Sequence, residues 1–526
     1  MPTQNKRRYP FNGCLHPAFL PLALFLGYYL IRSASAPWSD FAGYYFGGRE
    51  LLAGRGANAY DMEKLNSLIW QAGYRDVFVS YAPFPPFTSL VFAPFLFLPM
   101  GSAKLAFSAV SCVLFLITLM RARVFFGIPP LLMLTLPVVF YIPMINNLFF
   151  GQSYLLLCCL LLEGYMAHKQ DRIFLSSLWW GVAVLFKVFP GVVLIWLLLQ
   201  KKFRSAAGLC AACVLLLGVS LLINGGAIWK YYVFEILPKV NNGELNNSFT
   251  FVFQSAFMLL KRMLVYDALS NPSPFIDSPI LFGICMGLFK ALILTVCVWY
   301  TLRKKDRDFD SFAVWIAGSM LISPNGSSYS LVLLVIPLLS LMTRSRWPVV
   351  PVLLLAAACF FPVYKLENAP VWEQFPRLYL LLLFFALLLW PLRMAWHTGT
   401  WVGLSLFLIV LFLAGYRRDP DASTYFFARE EHIFINDYSV SHGVLVYSYR
   451  DPRGVQSVST GMGIAQSEEL EVRDKQIYYK GKQLTHSPDA KKKPLLINGT
   501  LILYLSDKNR GPGFYTVRKL RLTEGI

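Results

Sequence analysis

The chain has 526 residues, is 56% hydrophobic and 15% charged, and has a mean hydropathy of +0.51, which excludes a water-soluble globular fold and reads as a polytopic membrane protein. Its formal net charge of +19 comes from Lys and Arg that punctuate apolar runs, the pattern of loop ends facing anionic lipid and not of a continuous phosphate-tracking surface. The nine cysteines lie in or beside apolar stretches and the six histidines are scattered, so neither a disulfide framework nor a zinc site is expected.

Lys6, Arg7 and Arg8 precede a first apolar run, about Pro17 to Ile31, that has no small-residue cleavage site before Trp38. It reads as a retained helix running from cytoplasm to outside. The stretch PWSDFAGYYFGGRELLAGRGANAYD, residues 37–61, then sets Asp40 just past that helix, where a side chain leaves lipid and still reaches the bilayer surface. A plainer reading makes this stretch an interfacial amphipathic helix with an aromatic anchor and solvated charges. The outer loop, 33–83, contains a second amphipathic segment, Met62 to Ala72, with Leu65, Leu68 and Ile69 on one face; two short helices lying on the membrane are expected.

The segment 84–100 is apolar but short and broken by Pro85, Pro86 and Pro94, and is read as dipping into the bilayer. Helix 104–120 then runs inward to Arg121 and Arg123, helix 128–145 returns outward to Asn146, Asn147, Gly151 and Gln152, and helix 153–167 comes back to His168 and Lys169. The run 173–200 is too long for one crossing. It is read as two short helices with Lys187-Val188-Phe189-Pro190 at their outer turn. Helix 205–223 leads to a long outer loop, 224–278, with an interfacial helix at 251–264. Helix 280–301, four shorter spans and a last helix at 400–416 complete about thirteen crossings, with the N terminus in the cytoplasm and every short basic loop on that side. From Arg417 hydrophobicity collapses into short alternating strands, HIFIN, GVLVYSYR, LEVRDKQIYYKG, LLINGTLILYLS and FYTVRKLRL. The expected architecture is an α-helical transmembrane domain, 1–416, followed by a small all-β extracytoplasmic domain, 417–526.

This topology puts Asp40, Tyr81, Asn146, Gln152, Lys187, Asn247 and Asn325 at the outer surface, a convergence of polar groups that describes a site. A carboxylate serves as a general base for a hydroxyl, a nearby Lys or Arg holds a phosphate, and amides recognise a sugar. No Ser-His-Asp set, P-loop, Asp-x-Asp metal motif or His/Cys cluster accompanies them, so no metal ligands are expected. Each residue also has a plain structural role open to it: Lys187 as a snorkelling helix-end cation, Asn146 and Gln152 as helix-to-helix hydrogen bonders, Asn247 with Ser248 as a cap, Arg49 as a partner of Glu50 or of lipid headgroups.

Six stretches resemble glycosyltransferase family 87 in order: SDFAGYYFGGRELLAGRGANAYD, YAPFPPFTSLVFAPFLFLP for its Tyr-Pro-Pro segment, NNLFFGQSYLLLCCLLL for Asn-Gly-Gln, WWGVAVLFKVFPGVVLIWLLLQKKFR for Lys-x-x-Pro, NNSFTFVFQ, and SPNGSSYSLVLLVIPLL. The resemblance covers about residues 15–345. It implies a GT-C fold, a polyprenyl-phosphate sugar as donor with no other cofactor, Asp40 as the base that deprotonates the acceptor hydroxyl with inversion, and Lys187 and Arg49 among the cations steadying the lipid phosphate. Two departures stand out: Phe149-Phe150 precede Gly151-Gln152 where Asn is frequent, and Asn325 to Tyr329 follow Ser323-Pro324 where Trp and His are frequent. The function expected is a cytoplasmic-membrane glycosyltransferase moving a mannose- or pentose-like sugar to a glycan or glycolipid on the outer face. The rivals are a transporter or flippase of a lipid-linked sugar, which calls for midplane charges and inverted repeats, and a membrane-anchored interaction protein working through the β domain.

Overall fold

The computed structural model describes residues 16–34, 39–74, 77, 79–81, 83–241, 249–265, 271, 274–303, 308–344, 349–366 and 369–389. In the C-terminal part it describes 424–425, 435–441, 444–451, 454–460, 464–465, 469–487, 489–497, 501–506 and 516–522. Asn247 and the expected span 400–416 lie outside these residues.

The first helix, α1 (Leu20–Ser33), is followed by α2 (Ser39–Leu52), α3 (Gly56–Tyr60) and α4 (Met62–Gln71). The proline-broken segment forms only α5 (Thr88–Phe92) and a 3-10 turn at Ala93–Phe95. Eight residues rise about 12 Å, far less than a bilayer core of about 30 Å, so this helical piece is too short to cross alone. Next come α6 (Met100–Phe126), α7 (Thr135–Val139) and α8 (Tyr141–Phe150), the pair Pro130–Val139 and Tyr141–Phe150 being bent by 62°. Pro143 explains the break: it has no N–H for the carbonyl of Val139, and the chain turns at Phe140.

After α9 (Tyr154–Lys169), the run 173–200 is divided into α10 (Ile173–Phe186) and α11 (Val192–Leu199). Pro190 cannot donate to the Phe186 carbonyl, and Lys187 leaves the helix in an extended conformation. The two helices fold back beside each other: Trp180 of α10 and Trp196 of α11 lie 6.2 Å apart, and both pack on His168 at the end of α9, at 5.6 and 5.7 Å. The expected hairpin with Lys187 at its turn is therefore present.

The chain continues through α12 (Phe203–Asn224), α13 (Gly226–Tyr231), α14 (Leu237–Asn241), α15 (Ala256–Leu264), α16 (Pro279–Arg303), α17 (Asp308–Ile322), α18 (Val335–Arg344), α19 (Val349–Phe360) and α20 (Pro376–Leu389). The sequence predicts about thirteen crossings. Among the described residues three helices, α6, α12 and α16, are long and apolar enough to cross alone, and the bent pair makes a fourth. The remaining apolar helices are of 10–17 residues and cover only part of a bilayer core each. The result is a multi-pass membrane protein built largely from broken and half-length helices.

Its polar groups separate to two ends. At one, Arg121 pairs with Glu163 at 3.0 Å, Lys169 with Asp308 at 2.8 Å and Arg344 with Asp310 at 2.8 Å. At the other, the buried Lys104 Nζ donates to the carbonyls of Ser33 (3.1 Å) and Phe149 (2.6 Å), holding the C-terminal ends of α1 and α8 with a cation where helix dipoles favour one. Lys104 and Arg121 sit on the same helix, about 26 Å apart by helical rise. That distance is close to the thickness of a hydrocarbon core.

The C-terminal part forms strands β1 (Thr424–Tyr425), β2 (Ile435–Ser441), β3 (Val444–Asp451), β4 (Gly454–Thr460), β5 (Ile464–Ala465), β6 (Leu470–Arg473), β7 (Gln476–Tyr479), β8 (Lys482–Gln483), β9 (Lys491–Ile497), β10 (Leu501–Ser506) and β11 (Thr516–Arg521). They make a five-stranded sheet, β1-β11-β10-β9-β5, and two three-stranded ones, β2-β3-β4 and β6-β7-β8. Two stretches read as single units are hairpins: β9 pairs with β10 through Ile497 and Leu501, and β6 with β7 through Arg473 and Gln476. Ile477, Tyr479, Leu496, Ile502 and Tyr504 form a small core, and the polar GVQSVST segment, which has no strand signal strong enough to read, supplies β4.

Candidate active site

Asp40 lies in the first turn of α2, where a carboxylate complements the helix dipole. This helix does not lie on a surface: residues 41–48 are all buried, with Phe41 5.9 Å from Phe92 and 6.1 Å from Phe107. Tyr44 is held between Phe84 and Phe92, both with ring centroids at 4.4 Å. Gly47 is where α2 meets Tyr81, since a Cβ there would stand 2.3 Å from the Tyr81 ring. The interfacial-helix alternative thus fits α4, whose Leu65 and Ile69 face inward, better than α2.

Helix α8 ends facing this helix. Gly151 adopts φ +64, its N–H bonds to the Leu148 carbonyl and the Gln152 N–H to that of Asn147 at 2.7 Å, the two bonds of a Schellman turn. A Cβ on Gly151 would stand 2.6 Å from the Phe41 Cβ. The turn therefore brings α8 directly against α2, and Gln152 Nε2 donates to Asp40 Oδ2 at 2.6 Å. No other described residue hydrogen-bonds the Asp40 side chain. Burial pushes the Asp40 carboxyl above its ordinary pKa, against the weaker opposing pulls of the Gln152 amide and the Lys187 ammonium.

Lys187 completes the group from the α10–α11 turn. Its Nζ lies 4.6 Å from the Phe84 ring centroid and 4.3 Å from that of Tyr154, within cation–π range. Tyr154 in turn packs on Tyr329 at 5.5 Å. The arrangement is a carboxylate held by the Gln152 amide and a cation over two aromatic rings, at the end of the bundle away from the Arg121 and Arg344 ion pairs. Among the described residues no group of three or more His, Cys, Asp or Glu side chains is placed to hold a metal ion.

The other residues singled out in the sequence fall into three places. Asn146 donates to Ser328 Oγ at 2.6 Å, tying α8 to the loop that contains Asn325, whose backbone N–H bonds to Ser323 Oγ at 3.3 Å; from this loop it is Ser328 and Tyr329 that reach Asn146 and Tyr154. Tyr81 backs α2 from the Gly47 side. Arg49 is exposed and its guanidinium lies 5.6 Å over Tyr45, nine residues and about 13 Å along the helix from Asp40, so it stands at the rim. The sequence reading did not single out Tyr44, Phe84, Ser153, Tyr154 or Tyr329 as site residues. Tyr44 had a usable signal, being four residues from Asp40 and so on the same helix face; Phe84 had none. Asn147 was missed as a strut: its Nδ2 donates to the carbonyls of Pro143 and Tyr329, both at 2.8 Å, and its Oδ1 accepts from the Tyr154 N–H at 3.2 Å.

Residues 82–324 match the model of glycosyltransferase family 87. Over 248 residues, 46% of this chain and 53% of the other, the sequence is 26% identical to a polyprenol-phosphate-mannose-dependent alpha-(1-2)-phosphatidylinositol pentamannoside mannosyltransferase of Mycobacterium tuberculosis. The match thus spans about half the length of that relative. No solved structure matches. Phe84, Gln152, Ser153, Tyr154 and Lys187 fall inside the family match, whereas Asp40, Tyr44 and Tyr329 reach the same cluster from outside it.

Proposed function

We propose, for a chain whose residues 82–324 match the model of glycosyltransferase family 87, that it transfers a mannose- or pentose-like sugar from a polyprenyl-phosphate donor to a glycan or glycolipid acceptor at the outer face of the cytoplasmic membrane. The observation that carries the reading is that Asp40 and Lys187 lie near enough for their charges to act on one another, with Lys187 over the Phe84 and Tyr154 rings, at a single end of an apolar bundle. A lipid-borne donor delivers its phosphate to such a place without any nucleotide-binding element. The basic loops gather at the opposite end, which supports a cytoplasmic assignment for that end.

In the reaction, Asp40 takes the proton of the acceptor hydroxyl, and the oxygen attacks the anomeric carbon from the face opposite the phosphate. The carbon–oxygen bond to the phosphate breaks, and polyprenyl phosphate leaves with the bonding electrons, so the product is inverted. Lys187 faces the charge that builds on the leaving phosphate. For the β strands beyond residue 417, which lie outside the family match, the role we propose is binding of the growing acceptor glycan.

The test is transfer by the purified protein in lipid nanodiscs, offering radiolabelled mannose either on polyprenyl phosphate or on a nucleotide. Product from the lipid donor alone is expected. Product only from the nucleotide donor, or from neither with any polyprenyl-phosphate sugar tried, would overturn the reading. Lys187→Met is expected to raise the KM for the lipid donor about 30-fold, the loss of about 2 kcal/mol from one charge-assisted contact, with the acceptor KM nearly unchanged. A Lys187 that only snorkels would leave both constants alone.

A further inference from the structure

We infer that Ser153, Tyr44 and Gln152 form a directed hydrogen-bond chain that aims Asp40, with Tyr44 and Gln152 as positioning residues for the carboxylate. The inference rests on the reading of Asp40 as the base and adds the device that sets its orientation.

The direction of the chain follows from what each atom can give. An ionised carboxylate has no proton, so Gln152 must present its NH2 to Asp40 Oδ2, as it does at 2.6 Å. That assignment turns the amide oxygen Oε1 toward the Tyr44 hydroxyl, 3.1 Å away. Tyr44 has one proton, and Oε1 takes it. The Tyr44 oxygen is then left as acceptor for Ser153 Oγ at 3.2 Å, so Ser153 donates. With Asp40 ionised, the polarity runs Ser153 to Tyr44 to Gln152 to Asp40, the amide orientation following from the negative charge it faces.

The frame around the chain is stiff. Tyr44 and Ser153 are fully buried and Gln152 nearly so; the Tyr44 ring is gripped by Phe84 and Phe92, and Gln152 and Ser153 follow immediately on the Gly151 turn. Asp40 and Tyr44 are one helical turn apart on α2, and Gln152 and Ser153 are adjacent on the α8–α9 turn, so the chain crosses between the two elements at every link. Tyr44 can fix the amide only while α2 and the α8–α9 turn are docked. Holding Oδ2 leaves Oδ1 to meet the acceptor hydroxyl in one orientation, which is what a proton transfer at hydrogen-bond distance needs.

Buried polar groups also bond to one another simply because leaving them unpaired is costly, and that plain role makes a different prediction. Tyr44→Phe keeps the ring and its packing and removes the hydroxyl, taking away the proton that fixes the Gln152 amide and the acceptor of Ser153. We expect kcat to fall about tenfold, the donor KM to stay within about twofold, and the acid limb of the pH–rate profile to move upward by about half a pH unit to one unit, because Asp40 loses part of the donor that favours its charged form. Gln152→Leu is expected to do the same more strongly, about 100-fold in kcat, and the double variant Tyr44→Phe/Gln152→Leu to be no worse than Gln152→Leu alone, since both cut one chain. A lowered melting temperature with the acid limb at its wild-type pH, or additive losses in the double variant, would overturn the inference. Asp40→Asn is assayed beside them: full activity there would remove the base and the chain together, while an inactive Asp40→Asn with unmoved acid limbs in the other variants would remove the chain alone. If Gln152→Leu does not fold, Tyr44→Phe still decides.

Discussion

Asp40→Asn is expected to lower transfer by about 10²–10⁴-fold, the range that a positioned general base contributes, while the protein folds normally. Asn has the same shape and its Oδ1 still accepts from Gln152 Nε2, so the α2–α8 contact is kept and only the proton acceptor is lost. The native enzyme should also show an acid limb above the ordinary carboxylate range, because burial raises the Asp40 pKa and the ionised base disappears as pH falls through that raised value. The stability effect has the opposite sign to that of a salt-bridged carboxylate. A folded-state pKa above the unfolded one means that the contribution of Asp40 is intact below the unfolded value of about 4 and is lost as pH rises through the folded value. At neutral pH the charged, buried carboxylate therefore costs stability. Asp40→Asn should melt at the same temperature as wild type or slightly higher at pH 7, and this advantage should vanish at acid pH. An inactive variant that also melts well below wild type at pH 7 would show a structural role for Asp40 and leave the base unassigned.

The convergence of Asp40, Gln152 and Lys187 was legible because each interrupts an apolar run and because the basic loops dictate which helix ends share a side. Nothing in that reasoning needs side-chain detail: Gln152 bonds to Asp40, and Lys187 lies over the ring of Tyr154, two residues on from Gln152. The course of α2 was less legible. SDFAGYYFGGRELL has apolar residues all round, with glycines at 43, 47 and 48, a pattern that fits a surface helix with an aromatic anchor as readily as one buried on every side; only its docking against Gly151 and Tyr81 decides. Lys104 shows a second limit. In sequence it reads as a charge at a helix start, yet its Nζ reaches two backbone carbonyls from helices α1 and α8, partners that leave no trace in side-chain spacing. Arg49 was grouped with the phosphate ligands through the family resemblance, but two and a half turns of helix from Asp40 carry it to an exposed position. The count of about thirteen crossings came from run length and charge, whereas among the described residues three helices and one bent pair are long and apolar enough to cross.

The contact that makes the cluster is backbone to backbone, and Gly151→Ala should expose it. At φ +64 any Cβ costs about 1–2 kcal/mol of local strain, and here that Cβ would also stand 2.6 Å from the Phe41 Cβ. The opposing atom is not the far end of a flexible side chain. It is fixed to the backbone of α2 one residue from Asp40, so relief requires the two elements to move apart, an overpacking cost of about 1–3 kcal/mol. Gly54 offers the matched control, because it has a similar φ of +73 with nothing within 4 Å of its Cβ position. Gly54→Ala should carry the strain alone, about 1–2 kcal/mol, and keep nearly full transfer. Gly151→Ala should lose about 2–5 kcal/mol and most of the activity, since a displacement of even about 1 Å between a base and its substrate can remove about 100-fold in rate. Thermal unfolding and transfer assays on the two variants at equal expression separate the terms. Equal losses in both would mean that α2 and the α8–α9 turn tolerate separation, and that the hydrogen bond from Gln152 to Asp40 does not depend on the close approach at Phe41.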